Sequence, residues 1–294
     1  MTPDQYCQDK AARSGSSFYY SFLFLPRHQR QAITTLYAFC REVDDVVDEC
    51  HDTQLARIKL AWWREEIGRC FLGTPQHPVT QALQPAISTF NLPQEYFLEI
   101  IDGMEMDLDR HRYASFKDLG LYCHRVAAVV GLMAAEIFGV QDRRTLKYAH
   151  LLGMAFQLTN ILRDIREDAS RDRIYLPLDE LARFNVSPAD ILHHRDSPAF
   201  RELVGFQVSR AEDYYQQAFA ALPAGDRYAQ RSGLIMAEIY LAILREIARD
   251  GYNVMEHRIA LTPLRKLWIA WKTARREKKL FHKLSLKRYA AGNQ

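Results

Sequence analysis

Along most of the chain, apolar residues recur at three- and four-residue spacing, the period of helices that bury one face. Proline is absent from 94 to 176, which leaves room for several long helices. The pattern predicts helices near 28–50, 54–72, 78–90, 94–111, 115–138, 142–170, 198–221, 227–250 and 263–288. Start signals agree with it. Ser115 precedes Asp118 with capping-box spacing, and Thr262-Pro263 places proline at a first helical position. Gly103, Gly120 and Gly139 read as stops within the long central stretch. The β-branched run at 126–130 sits inside a longer helical pattern, so strand signals are weak. No internal repeat or Gly/Ser linker divides the chain. The expectation is an all-α fold, a helical bundle spanning 1–294 as one domain.

Two segments break the ordinary alternation of core and surface positions. In Tyr37-Ala-Phe-Cys-Arg-Glu-Val-Asp-Asp-Val-Val-Asp48, residues Tyr37, Arg41, Asp44 and Asp48 share one helical face. An aspartate pair one turn apart is most often a solvated surface. It is also a way to share hard divalent cations through oxygen. The second segment, Gln157 to Asp168, repeats the device: Asn160, Asp164 and Asp168 follow at turns of four, with Gln157, Gly153 and Ala149 above them. A stripe running from small residues through amides to acids suits the wall of a cavity with anions at one end. Arg41, Arg163, Arg166, Arg171 and Arg173 accompany the two segments. Carboxylates for cations beside guanidinium groups make a site for a polyanion such as diphosphate. Of these arginines, Arg166 reads as a surface ion-pair partner, and Arg41 and Arg173 as members of the site.

Composition narrows the picture further. The chain has 294 residues, 48% hydrophobic and 26% charged, enough for a substantial core. The best candidate for a membrane span, Phe18 to Leu25, is short and broken by Ser21, and the N-terminus lacks the basic start and apolar stretch of a signal peptide. A cytoplasmic protein is therefore expected. Cys7, Cys40, Cys50, Cys70 and Cys123 form no Cys-x-x-Cys pair and read as free thiols. His111, His124 and His150 share no metal-ligand spacing, Trp62 and Trp63 read as packing, and Asp102, Glu105 and Asp109 as a solvated face, with an auxiliary metal role as the other reading. Net charge is only +3, but residues 265–294 hold ten Lys and Arg against Glu277 alone. An acidic body thus carries a basic amphipathic C-terminal helix, about 263–288, with Trp268, Trp271 and Phe281 on it. Such a helix suits either an anionic membrane surface, as a peripheral contact, or packing on the acidic body. Nothing resembles a nucleic-acid recognition module, and there is no Gly-x-Gly-x-x-Gly fingerprint.

At these motifs the chain resembles the squalene and phytoene synthase family. The likeness covers about Ser14 to Tyr252. It rests on Ser16-Ser-Phe-Tyr-Tyr, the Tyr37–Glu49 segment, Tyr122-Cys-His-Arg-Val-Ala, the Gln157–Asp168 segment and Asp172-Arg-Ile-Tyr-Leu-Pro177, in that order. The resemblance implies an isoprenoid-synthase helical bundle around a central cavity. It also implies a magnesium-dependent prenyl transferase (manganese as a substitute) that joins two prenyl diphosphates head to head. Asp44, Asp48, Asn160, Asp164 and Asp168 would hold magnesium. Arg41, Arg163 and Arg173, helped by Ser17 and Tyr252, would contact diphosphate. Tyr37, Arg41, Tyr122 and Tyr175 would stand at the reaction centre, and Phe18, Phe22, Val126, Gly131, Gly153, Gln157 and Asn160 would shape the channels for the prenyl tails. Where some members carry a basic residue near the diphosphate this chain has Ser16, so one phosphate contact is expected to be either missing or supplied elsewhere, with Lys10 and Arg13 as candidates.

The opening residues, the Ser14–Pro26 run and Ile101–Asp109 resemble the subgroup that makes presqualene diphosphate in bacterial hopanoid pathways. The implied product is presqualene diphosphate from two farnesyl diphosphates, without NADPH, passed to downstream pathway enzymes. The alternatives are phytoene, dehydrosqualene or complete squalene synthesis, then a terpene cyclase, then a non-catalytic helical assembly factor.

Overall fold

The computed structural model describes residues 1–13, 18–50 and 52–292, leaving aside the side chains of Tyr19 and 287–292. Among these residues it is helical, with one isolated parallel bridge between Arg112 and Ile174. The first half contains α1 (Pro3–Arg13), α2 (Phe18–Phe22), α3 (Arg27–Glu49), α4 (Thr53–Phe71), α5 (Pro78–Phe90) and α6 (Gln94–Asp109). Then α7 (Phe116–Cys123) runs through a π turn (His124–Ala128) into α8 (Val129–Phe138), followed by α9 (Arg144–Ser170). The remainder is α10 (Leu178–Arg183), α11 (Pro188–Leu192), α12 (Pro198–Ala221), α13 (Arg231–Arg249) and α14 (Pro263–Gly292).

Each predicted helix is present; the short α1, α2, α10 and α11 were not expected. The capping box forms, with the Ser115 hydroxyl accepting from the Asp118 amide at 3.4 Å and the Asp118 carboxylate accepting from the Ser115 amide at 3.1 Å. Gly139 does end a helix, at φ 104°, but Gly103 and Gly120 lie inside α6 and α7.

Two apolar cores flank a central space. One is built on α9, α12 and α13, the other on α3, α4, α5 and α6, and Phe18 and Val126 pack against both. The run Phe116–Phe138 is long and apolar enough to cross a membrane, contrary to the sequence expectation. Lys117, Asp118 and Arg125 disguise it in the sequence. Half of its most apolar stretch is buried, and it packs on α6 and α9, so its all-round hydrophobicity fits a helix between two layers.

Gly131 and Gly153 set how closely this run approaches α9. A Cβ on Gly153 would stand 2.5 Å from the Ala128 Cα and 2.7 Å from the Ala127 carbonyl oxygen. One on Gly131 would stand 2.7 Å from the Ala149 carbonyl oxygen. Both glycines line the cavity, but backbone contact, rather than channel width, is what demands glycine there.

α14 packs on α13 through Ala270, Thr273 and Glu277, with ion pairs Arg227–Glu277 (2.7 Å), Arg276–Glu238 (2.9 Å) and Arg265–Glu246 (2.6 Å). Its other face leaves Leu264, Trp268 and Trp271 exposed. Lys272 lies 4.8 Å from the Trp268 ring and Arg275 4.7 Å from the Trp271 ring. Packing on the body is thus realised on one face of this helix, and the exposed aromatic and basic residues lie on the other. All five cysteines are free thiols.

Candidate active site

The space between the cores is a cavity of about 710 Å³. Its walls come from α2, α3, α6, α7, the π turn, α8, α9 and the stretch 171–175 after it, α13 and the segment 258–266. One end is anionic. Asp44 and Asp48 enter from α3, Asp164 and Asp168 from α9, and all four line the same cavity, as the turn-of-four spacing requires. The remaining wall is apolar and aromatic. Phe18 stands 5.7 Å from Tyr37, 6.1 Å from Phe156 and 6.3 Å from Tyr240 (ring centroids), and Phe22 is 6.5 Å from Tyr37.

Asp44, Asp48 and Asp164 each have a guanidinium against them. Arg41 pairs with Asp44 (2.5 Å) and Asp45, Arg163 with Asp164 beside it in sequence, and Arg258 with Asp164 (2.8 Å). Arg171 (3.0 Å) and Arg173 (3.2 Å) reach from the end of α9 across to Asp48 on α3. These pairs do not neutralise the cluster. Burial first, and then the neighbouring Asp48, Asp107 and Asp45, push Asp44 up to about 7 against the pull of Arg41. Its side chain keeps 35% of its surface accessible, but that surface faces the cavity. Burial, Asp164 and Asp107 likewise push Asp168 up to about 8. Asn160 adds an oxygen: its side-chain Oδ1 is buried and accepts no hydrogen bond.

A divalent cation fits this donor set chemically. The oxygens are hard, the acids are short of positive charge, and one amide oxygen is unsatisfied. With the arginines holding the carboxylates, no three acids, histidines or cysteines among the described residues converge into a metal-holding group. A cation held by Asp44, Asp48 or Asp164 would have to displace the guanidinium groups paired with them, whereas Asp168 and the Asn160 Oδ1 carry no such partner among the described residues.

Tyr122 and Tyr175 come together beside the acids. Tyr175 is fixed by the parallel contact of 110–114 with 172–178: the Ile174 amide donates to the His111 carbonyl and the Leu178 amide to the Tyr113 carbonyl, each at 2.9 Å. The Tyr122 and Tyr175 rings stack at 5.1 Å, with an interplanar angle of 23°. Both hydroxyls donate to Asp107, which sequence reading missed. The signal for Asp107 was Gly103 one turn earlier: a Cβ there would meet Val126 Cγ1 at 2.7 Å, so that face of α6 is the buried one. Arg258, Lys266, Phe156 and Tyr240 are further cavity residues absent from the sequence expectation.

Most expected residues line the cavity: Phe18, Phe22, Tyr37, Arg41, Tyr122, Val126, Gln157, Asn160, Arg163, Arg173 and Tyr175 all do. Tyr252 does not. Its backbone is left-handed at φ 65° and its ring lies against Gly205, 3.4 Å from where a Cβ would be. Ser16 and Ser17 lie outside the described residues. Lys10 is held by Glu42 (3.0 Å) and Asp45 (2.8 Å) and, like Arg13, is not in the cavity wall; Arg258 and Lys266 are the additional cations there. Arg166 is not an ion-pair partner: it donates to the carbonyls of Met255 (3.1 Å) and Glu256 and so anchors the segment that carries Arg258. Asp102, Glu105 and Asp109 are paired with Arg64 and Arg57 rather than simply solvated. His124 Nδ1 lies 3.2 Å from His150 Nε2, a pair that the sequence did not suggest.

Known proteins resemble this chain along most of its length. The family profile described as squalene/phytoene synthase matches residues 11–265. The phytoene synthase of Arthrospira platensis is 37% identical over 277 residues, 89% of each chain. The presqualene diphosphate synthase of Rhodopseudomonas palustris is 37% identical over 239 residues, 81% of this chain and 85% of that one. Among solved structures, squalene synthase HpnC from Alicyclobacillus acidocaldarius superposes with a TM-score of 0.76 at 33% identity, covering 85% of this chain and 95% of that one. A dehydrosqualene synthase in complex with ligand gives 0.81 at 27% identity, covering 94% and 97%.

Proposed function

The chain belongs to the squalene/phytoene synthase family, and on that premise we propose that it is a presqualene diphosphate synthase acting as one isoprenoid-synthase domain. It condenses two farnesyl diphosphates head to head into presqualene diphosphate, for squalene and hopanoid synthesis. The observation that carries the reading is the division of one cavity into an acid-and-arginine end and an aromatic, apolar remainder. A diphosphate with an oily tail is polar and apolar in the same two parts.

Asp44, Asp48, Asn160, Asp164 and Asp168 would hold magnesium, which when bound neutralises the diphosphate charge as its C–O bond breaks. Arg41, Arg163, Arg173, Arg258 and Lys266 take phosphate oxygens and orient the leaving group. Phe18, Phe22, Tyr37, Phe156 and Tyr240 offer ring faces to the allylic cation and exclude water that would capture it. NADPH has no part in this condensation. A second reading, phytoene synthesis from two longer tails, is favoured by the phytoene synthase of Arthrospira platensis, which aligns over more of this chain than the presqualene diphosphate synthase does.

The test is an incubation with magnesium and equal farnesyl and geranylgeranyl diphosphates, with and without NADPH, followed by product identification. Presqualene diphosphate is expected in both. Phytoene as the main product would transfer the assignment to the second reading, and a cyclised single-substrate product would remove it from head-to-head condensation.

The exposed face of α14 supports a peripheral contact with anionic membrane, where the apolar product is headed for downstream enzymes. Lys272 and Arg275 sit beside Trp268 and Trp271, a pairing suited to the headgroup region. The protein is expected to sediment with anionic phosphatidylglycerol vesicles and not with neutral phosphatidylcholine. Replacing Trp268 and Trp271 by alanine should weaken binding at least about tenfold. Equal sedimentation of the two proteins would assign the face another role.

A further inference from the structure

Asp107 differs from every other acid on α6. Asp102, Glu105 and Asp109 point outward and pair with Arg64 or Arg57. Asp107 is 5% exposed, and the groups that hydrogen-bond to it are neutral phenols: its Oδ1 accepts from Tyr175 at 2.7 Å and its Oδ2 from Tyr122 at 2.9 Å. A buried carboxylate held by neutral donors is costly, and the same volume filled by apolar side chains would cost less. The geometry gives it a use. A phenol has one proton and two lone pairs, and an ionised carboxylate only accepts. Both phenolic protons are therefore directed to Asp107, and the two oxygens, 3.4 Å apart, have only lone pairs left to offer the cavity they line.

We propose that Asp107 is a positioning residue: it orients the Tyr122 and Tyr175 hydroxyls as proton acceptors toward the cavity and takes up the proton that the condensation releases. The proposal rests on the head-to-head reading above. As the cyclopropane closes, the electron pair of a C–H bond becomes the last ring C–C bond. The proton lost from carbon adds to a phenol oxygen, whose own proton moves to Asp107. Carbon loses one proton, the carboxylate becomes a neutral acid, and the phenol is unchanged. The proton leaves to solvent or to the released diphosphate before the next turnover. Burial, opposed chiefly by Arg173 and the two phenols, raises the Asp107 carboxyl above the ordinary aspartate range.

Asp107→Asn tests this, because an amide must donate as well as accept and so turns one hydroxyl around. The quantities to measure are diphosphate released and condensed product formed, separately. The expected result is condensation down about a hundredfold or more with KM little changed, while diphosphate release continues and prenyl alcohol accumulates. Tyr122→Phe/Tyr175→Phe, which keeps both rings, should give the same split, and adding Asp107→Asn to it should cost nothing further. It decides the point even if Asp107→Asn does not fold. A wild-type rate and product ratio, or a parallel loss of diphosphate release and condensation in a folded variant, overturns the proposal. Wild-type enzyme that forms no condensed product would instead overturn the head-to-head reading itself.

Discussion

Asp44→Asn and Asp164→Asn are each expected to lower turnover at least about a thousandfold, equivalent to about 4 kcal/mol of transition-state stabilisation. Helical content by far-ultraviolet circular dichroism should not change. Asp44 lines the cavity rather than the core, and its charge burdens the folded chain. The sign follows from its raised folded value of about 7. Between the unfolded range near 4 and about 7, the folded state binds the extra proton, so this group's contribution to stability falls as pH rises through that window. An asparagine removes that penalty, so the variant should be at least as stable as the wild type at pH 8. Magnesium with inorganic diphosphate should raise the wild-type Tm and leave both variants unmoved, a readout independent of turnover. Undiminished activity in both variants would refute the assignment of these acids.

Gly153→Ala is the largest expected structural effect of a single methyl group. Its Cβ would fall 2.5 Å from one backbone atom and 2.7 Å from another, in the π turn. Neither is the tip of a flexible side chain that can swing aside. The helices must separate, at about 3 kcal/mol or more, which corresponds to a fall in Tm of roughly 6–12 °C. Because the π turn carries Val126 and Ala127 in the cavity wall, activity should fall with it. Gly120→Ala is the control: nothing lies within 4 Å of its Cβ, and inside α7 alanine should be stabilising by up to about 1 kcal/mol. Equal melting of Gly153→Ala and wild type would show that the contact is not tight.

These two positions illustrate what the sequence carried. The four aspartates were legible because helical spacing assigns each pair to a face, and the second segment repeats the device of the first. Gly153 was visible as part of a small-residue stripe, but periodicity does not distinguish a channel wall from a place where two backbones touch. Asp107 was hidden by company: Glu105 and Asp109 made its neighbourhood look like a solvated surface, and only the rotation of α6 separates it from them. Arg258 follows α13 in a segment with little periodicity, and Lys266 stands in the first turns of α14 among many other cations, so nothing local announced that they return to the cavity. Tyr252 lies outside the cavity wall, on a left-handed backbone turn that periodicity does not announce.

The arginine clasp across the anionic end also bears on order of arrival. Arg171 and Arg173 bridge to Asp48, and Arg41, Arg163 and Arg258 occupy Asp44 and Asp164. On the proposed function, a cation shared by Asp44, Asp48 and Asp164 would evict these guanidinium groups with nothing to receive them, and a lone diphosphate would strip them from carboxylates left bare. Arriving together, each ligand takes what the other displaces. On that function, the cleft would act as a coincidence gate, reluctant toward either visitor singly and receptive to the pair.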